Sequence, residues 1–252
     1  MTSGTLVKSP PFYIEKSATN SPDGIPDTTN TKLITFSGID GAGKTTQIDS
    51  LCSYLEQQGL RIARVSFWDD IAVLPRLRTE ASGRLIRQNP EPSRGVLLRN
   101  DKNVRRWYLT FIRALFYTFD TCSLRLFVRK LRQRELHFII FDRYVYDLLV
   151  QVTPHDWWTR LYNRALIALA PKPDVALLLD ASPDDAFLRK PEYPLAFMHE
   201  YRRAFLALRT FVPQLKVIAP GAIDAMFQSI LKVLCADTAL TNQDRVSQSS
   251  PP

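Results

Sequence analysis

Eight consecutive residues, Gly38-Ile39-Asp40-Gly41-Ala42-Gly43-Lys44-Thr45, match G-x-x-x-x-G-K-[ST] without a mismatch. Each residue type has a task there. Glycines let the backbone curl until successive N–H groups converge on phosphate oxygens, and the helix that follows the loop would add its positive dipole end. The Lys44 ammonium would reach β- and γ-phosphates, and Thr45 Oγ would coordinate Mg²⁺. A second group with chemistry to offer is Phe141-Asp142-Arg143-Tyr144. Asp142 closes an apolar run and would sit at the carboxyl edge of a sheet, where open α/β folds bind ligands. There it could hold Mg²⁺ through water, while Arg143 clamps a phosphate with two N–H groups.

Elements must bring these groups together. Residues 32–37 (KLITFS) read as a strand running into the glycine loop, and 45–58 as the amphipathic helix leaving it. Further strand candidates are 61–67 (RIARVSF), 137–141 (HFIIF), 174–179 (DVALLL) and, more weakly, 215–218, with a last helix over about 222–234. Strand and helix in alternation predict parallel crossovers. The near-continuous apolarity of HFIIF and VALLL fits strands buried on both faces. Residues 69–100, interrupted by Pro75, Pro90 and Pro92, read as irregular with one helical piece, and 102–134 as one long helix or two end to end. Val104, Tyr108, Phe111, Leu115, Phe119, Cys122 and Leu126 recur at three- and four-residue steps, which predicts that they form its core stripe. Residues 1–31 and 236–252 carry turn chemistry or polar sequence without periodicity and are expected to be disordered tails around one domain, 32–235.

Composition excludes several classes. With 252 residues, 45% hydrophobic and 23% charged, the chain is ordinary for a globular protein. No apolar stretch approaches the ~18–20 residues that span a bilayer. Three scattered cysteines, Cys52, Cys122 and Cys235, fit a reducing cytoplasm better than a disulfide framework. The formal net charge of +8 is local: residues 99–134 hold ten Lys and Arg against Asp101 and Asp120, so the rest of the chain balances. Without a DNA- or RNA-reading motif this segment does not point to nucleic acid. It leaves room for a membrane-associated acceptor without requiring one. There is no Asn-Lys-x-Asp guanine reader and no Leu-Ser-Gly-Gly signature, which leaves a small phosphoryl-transfer enzyme among P-loop proteins.

Taken together, ITFSGIDGAGKTTQ (34–47), FDRYVYDLLVQ (141–151) and PKPDVALLLDASPDDAFLRK (171–190) resemble the thymidylate kinase family of nucleoside monophosphate kinases. The resemblance covers most of 32–234. It implies a three-layer P-loop kinase fold, with a five-stranded parallel sheet and helices on both faces. It also implies ATP and Mg²⁺, γ-phosphoryl transfer to a deoxynucleoside monophosphate, and a homodimer packed through helices. On this reading Gly38, Asp40, Gly41, Ala42, Gly43, Lys44, Thr45 and Thr46 bind the nucleotide, and Asp40 lies near the metal and the acceptor phosphate. Asp142 lies near the metal, Arg143 meets the acceptor phosphate, and Arg189 with Lys190 falls in a mobile lid after the fourth strand. A lid arginine closing over the site would act as an internal arginine finger.

Three stretches depart from the family. Its Arg-Glu-Pro-Gly loop after the second strand is replaced by Ser66-Phe67-Trp68-Asp69-Asp70, and its serine-rich stretch after Asp-Arg by Tyr146-Asp147-Leu148. The lid, Arg189-Lys190-Pro191-Glu192-Tyr193-Pro194, is short. Candidate acceptor readers are Trp68, to stack on a base or sugar, Asp69 or Asp70 for hydroxyls, and Arg106 and Arg113 for an anion. Each has a plain alternative: a core aromatic, a helix N-cap near Ile71, solvated arginines. The leading reading is phosphorylation of dTMP. The alternatives are another small-molecule acceptor on the same fold, or a nucleotide-binding module without catalysis.

Overall fold

A computed structural model of the chain describes residues 31–71, 107–151, 157–191 and 193–248. Five strands form one sheet: β1 (Lys32–Ser37), β2 (Ile62–Ser66), β3 (Phe138–Asp142), β4 (Val175–Leu179) and β5 (Leu215–Ile218). Their order is β2-β3-β1-β4-β5 and every pairing is parallel. Seven α-helices are described: α1 (Lys44–Gln57), α2 (Trp107–Arg132), α3 (Val145–Gln151), α4 (Trp157–Leu169), α5 (Pro183–Arg189), α6 (Leu195–Ala207) and α7 (Ile223–Gln248). A five-residue π turn, Phe67–Ile71, follows β2.

The strands lie within a residue or so of the runs expected for them. Leu33, Ile34, Phe36, Ile139, Ile140, Phe141 and Leu177 are wholly removed from water, as central strands covered on both faces must be. The strand order has a functional consequence. The connection leaving β1 runs outward to β2, whereas the one leaving β3 crosses to β4 on the other side of β1. The chain therefore reverses direction between the adjacent strands β1 and β3, and a crevice opens at their carboxyl ends, where such sheets bind ligands. Phe36 of β1 stands opposite Asp142 of β3, and Ser66 of β2 opposite the same Asp142. The glycine loop and the Asp142-Arg143 pair are brought to that crevice by register alone.

Two expectations change. Of the α2 stripe expected in the core, Leu115, Phe119 and Leu126 are exposed and Cys122 is half-buried, while Tyr117, Leu124, Val128 and Leu131 are buried. Val104 lies outside the described residues, as do the side chains of Tyr108 and Phe111. The physical reason is that this helix is apolar almost all round, so a three–four period finds a stripe without saying which stripe meets the sheet. The last helix also outruns its expected end, and residues expected to begin a tail at 236 are helical as far as Gln248. The expected N-terminal tail lies outside the described residues, apart from Thr31, whose hydroxyl donates to the Leu136 carbonyl at 2.8 Å.

Candidate active site

β1 ends at Ser37, and the chain then turns through three glycines with left-handed φ before α1 begins. The first two are required by crowding. A Cβ on Gly38 (φ 143°) would stand 2.5 Å from the Leu179 carbonyl oxygen, and one on Gly41 (φ 83°) 2.6 Å from that of Ala186. The loop thus packs backbone to backbone against the end of β4 and against α5. Gly43 has the same positive φ, but a Cβ there would meet nothing within 4 Å. At this point the loop opens outward.

Lys44, the first residue of α1, folds back into the loop: its Nζ donates to the carbonyls of Gly38 at 2.8 Å and Ile39 at 2.9 Å. It lies 3.9 Å from Asp40 Oδ1. Burial, with the nearby Arg143 charge, pushes its pKa below the usual lysine value, against Asp147, Asp40 and Asp142. Such a buried cation is poised to gain from an arriving polyanion. Thr45 and Thr46 follow on the first turn, both exposed.

Arg143 faces this loop from β3. It is the one non-glycine residue with positive φ (68°) among the described residues, a conformation that persists only where the surroundings impose it. Its amide donates to the Phe36 carbonyl at 2.9 Å, tying the end of β3 to β1. The guanidinium donates to Asp40 Oδ1 and lies 3.6 Å from Asp147 Oδ1. Burial opposes its charge, but Asp147 and Asp40 outweigh that and raise its pKa. Asp147, on α3, has no exposed surface. Its other oxygen accepts from Ser37 Oγ at 2.8 Å and from the Tyr144 amide at 3.1 Å. Burial raises the Asp147 pKa against the pull of Arg143 and Lys44. Lys44, Asp40, Arg143 and Asp147 thus form a row of alternating charges across the crevice.

Of the residues singled out in the sequence, Lys44, Asp40 and Arg143 meet directly, and Asp142 ends β3 beside them, half-buried. Trp68 is half-buried on the π turn at the same sheet edge, its ring edge-on to Phe67 at 5.4 Å. Asp70 accepts from the Ser66 amide at 2.7 Å and closes that turn. Arg189 ends α5, exposed, with Nε on the Asp185 carbonyl of its own helix at 3.1 Å. It stands apart from the charge row, although its helix touches the loop at Gly41. Arg106 lies outside the described residues, and so do the side chains of Asp69 and Arg113.

No family model matches the sequence. Individual proteins do. A thymidylate kinase of Chlorobium luteolum is 30% identical over 178 residues, 67% of this chain and 72% of its own length. One from Prochlorococcus marinus is 30% identical over 176 residues, 65% and 73% respectively. The chain belongs to the thymidylate kinase family. It is accordingly an enzyme of the kinase class, a phosphotransferase. Solved structures agree in fold: thymidylate kinase from Candida albicans superposes with a TM-score of 0.55 at 18% identity, over 82% of this chain and 92% of that one. The Ehrlichia chaffeensis thymidylate kinase gives 0.50 at 19%, over 81% and 98%.

Within this family framework, sequence reasoning missed three supports of the site. Asp147 entered the sequence reading only within Tyr146-Asp147-Leu148, in place of the family's serine-rich stretch, and it proves to lie on α3. Arg202 on α6 grips Asp180, just past β4, with Nε on Oδ1 at 2.6 Å and Nη2 on Oδ2 at 2.7 Å. Tyr201 belongs to an aromatic column that starts at Tyr193, just before α6, and runs along that helix through Phe197, Tyr201 and Phe205, with ring centres 5.3, 5.3 and 4.9 Å apart. Burial and the Asp147 charge raise the Tyr201 pKa, so its hydroxyl stays neutral beside the charge row. The four-residue spacing of those rings was the legible signal. Among the described residues no helix is long and apolar enough to cross a membrane.

Proposed function

We propose that this protein transfers the γ-phosphoryl group of ATP, with Mg²⁺, to a nucleoside monophosphate, and that the acceptor is dTMP. The observation that carries the reading is the row Lys44, Asp40, Arg143 at the crevice between β1 and β3. A donor phosphate cradle and a fixed arginine face each other there. Relatives at 30% identity that bear the name thymidylate kinase support the choice of acceptor.

The residues present fit a magnesium ion of the kind that phosphates help to hold. Among the described residues no cluster of three or more His, Cys, Asp or Glu could cage a metal. Magnesium, however, is commonly bound by one or two protein groups and the substrate's own phosphates. Thr45 Oγ and the Asp142 carboxylate would be those groups, beside the loop where Gly43 opens to free space. When bound, the ion supplies neutralisation of charge on the β- and γ-phosphates.

The chain's own residues do the rest. Loop amides from Gly38 to Thr46, Ala42 included, orient the triphosphate. Lys44 exchanges carbonyl partners for phosphate oxygens. Arg143 holds the acceptor phosphate in line, so that an acceptor oxygen forms its bond to γ-phosphorus as the bond to the β–γ bridging oxygen breaks and ADP leaves. No general base is needed, because the attacking phosphate oxygen is already ionised. Alignment and charge neutralisation carry the rate. Trp68, at the same edge, would stack on the acceptor's base or sugar.

The test is an ADP-release assay with ATP and Mg²⁺ against a panel of nucleoside monophosphates and sugars, run with the wild type and Lys44→Ala. The expected result is turnover stimulated most by dTMP and lost in the variant. Stimulation by a different acceptor alone would replace dTMP, and acceptor-independent behaviour identical in both proteins would refute the site.

A further inference from the structure

Arg143 is held by two carboxylates of different kinds. Asp40 sits on the phosphate loop, still 12% exposed, next to Lys44 and the proposed metal position. Asp147 is fully buried on α3 and anchored twice, by the Ser37 hydroxyl and the Tyr144 amide. When a triphosphate enters the loop, Asp40 faces a new set of charges. Asp147 cannot turn away, because the side chain has no solvent to turn into. Its Oδ1 accepts no hydrogen bond among the described residues and has the Arg143 guanidinium 3.6 Å away. A buried carboxylate oxygen without a donor is costly, and it is tolerated where the charge is used. The left-handed backbone at Arg143 points the same way, since such strain persists only where surrounding contacts enforce it.

We propose that Asp147 is a positioning residue for acceptor recognition: anchored by Ser37 and the Tyr144 amide, it keeps Arg143 aimed across the β1–β3 crevice, ready for the acceptor phosphate. This rests on the functional reading above. Asp147 touches neither substrate in this scheme and acts only through Arg143. The link runs from β1 through Ser37 to α3 through Asp147 and back to the end of β3, so it joins three elements that the reaction needs in register.

Two roles for this carboxylate predict opposite signs. If Asp147 were only an unfavourable anion near the acceptor, Asp147→Asn would remove repulsion and lower the acceptor KM. If it positions Arg143, the same change frees the guanidinium to collapse onto Asp40, and the acceptor KM rises while kcat falls. The experiment measures kcat and both KM values for the wild type, Asp147→Asn, Ser37→Ala, Arg143→Lys and the Asp147→Asn/Arg143→Lys double variant. For Asp147→Asn, the acceptor KM is expected to rise roughly tenfold with the ATP KM little changed, as expected when the charged hydrogen bond from Arg143 to the acceptor phosphate is misaligned. Ser37→Ala shifts both quantities in the same direction by a smaller factor. In the double variant the Asp147 change adds little beyond Arg143→Lys, because the effect passes through that side chain.

A lowered or unchanged acceptor KM in Asp147→Asn, or full additivity in the double variant, would overturn the proposal. If Asp147→Asn does not fold, Ser37→Ala decides: an unchanged ratio of acceptor to ATP KM overturns it. If the wild type phosphorylates no nucleoside monophosphate, the functional reading fails separately. The same cycle is then read by urea unfolding, where absence of coupling between Asp147 and Arg143 defeats the positioning claim as well.

Discussion

Lys44 illustrates how a buried functional charge is held in place for phosphate. Its ammonium occupies two loop carbonyls and lies near Asp40, an arrangement that satisfies a buried charge but can be exchanged for phosphate oxygens. Lys44→Ala should therefore lower kcat/KM on the order of 10²–10³-fold, as loss of one oriented transition-state donor does. Its thermal midpoint should stay near that of the wild type; a collapsed melt would make the residue structural. The glycines divide by what stands opposite them. Gly41→Ala drives a methyl group into the Ala186 carbonyl, whereas Gly43→Ala meets only the strain of its positive φ. Urea unfolding should show Gly41→Ala destabilised by more than about 2 kcal/mol and Gly43→Ala by roughly 1 kcal/mol. Equal losses would mean that backbone crowding at Ala186 is unimportant.

At the scale of elements, α5 and α6 form the cover beside the loop, and each is tied to the sheet side differently. α5 touches the loop through Ala186, and α6 is held to the end of β4 by the bidentate Arg202–Asp180 pair. Arg189, at the free end of α5, turns to its own helix here. If closure swings it over the transferring phosphoryl, Arg189→Ala will reduce kcat at least tenfold while leaving ATP affinity within about twofold, as for a contact made only in the transition state. Loss of ATP affinity with unchanged kcat would assign it to ground-state binding instead. On the opposite side, His137 precedes β3 with Nδ1 accepting the Arg61 amide at 2.9 Å. Burial holds its pKa below the ordinary histidine value. The folded state then binds fewer protons than the unfolded chain, so this contribution is complete above the unfolded histidine pKa, about 6.5, and is lost as pH falls below it. The urea midpoint of the wild type should drop in that window, and His137→Gln should flatten the drop. Parallel curves for the two proteins would remove His137 from the acid response.

For the whole molecule, the legible parts were those where local chemistry has few solutions. A glycine loop ending in Lys-Thr and two β-branched or aliphatic runs ending at Ser37 and Asp142 were enough to place both halves of the crevice. What stayed hidden depended on which faces meet. α2 has apolar residues on nearly every side, so its periodicity could not tell Leu124 and Val128, which are buried, from Leu115 and Leu126, which are exposed. Asp147 looked like a departure from a serine-rich stretch, because nothing in sequence shows that Ser37, more than a hundred residues earlier, ends up 2.8 Å away. α6 was missed because no element was read between the short lid ending at Pro194 and the strand at 215, although its aromatic spacing was present throughout. The most direct measurement is transfer of label from γ-labelled ATP in the presence of Mg²⁺ and dTMP, with products separated by chromatography. Label appearing in dTDP, and disappearing with Lys44→Ala, is the expected result. Label released only as inorganic phosphate, or left on ATP while dTMP is saturating, would contradict it.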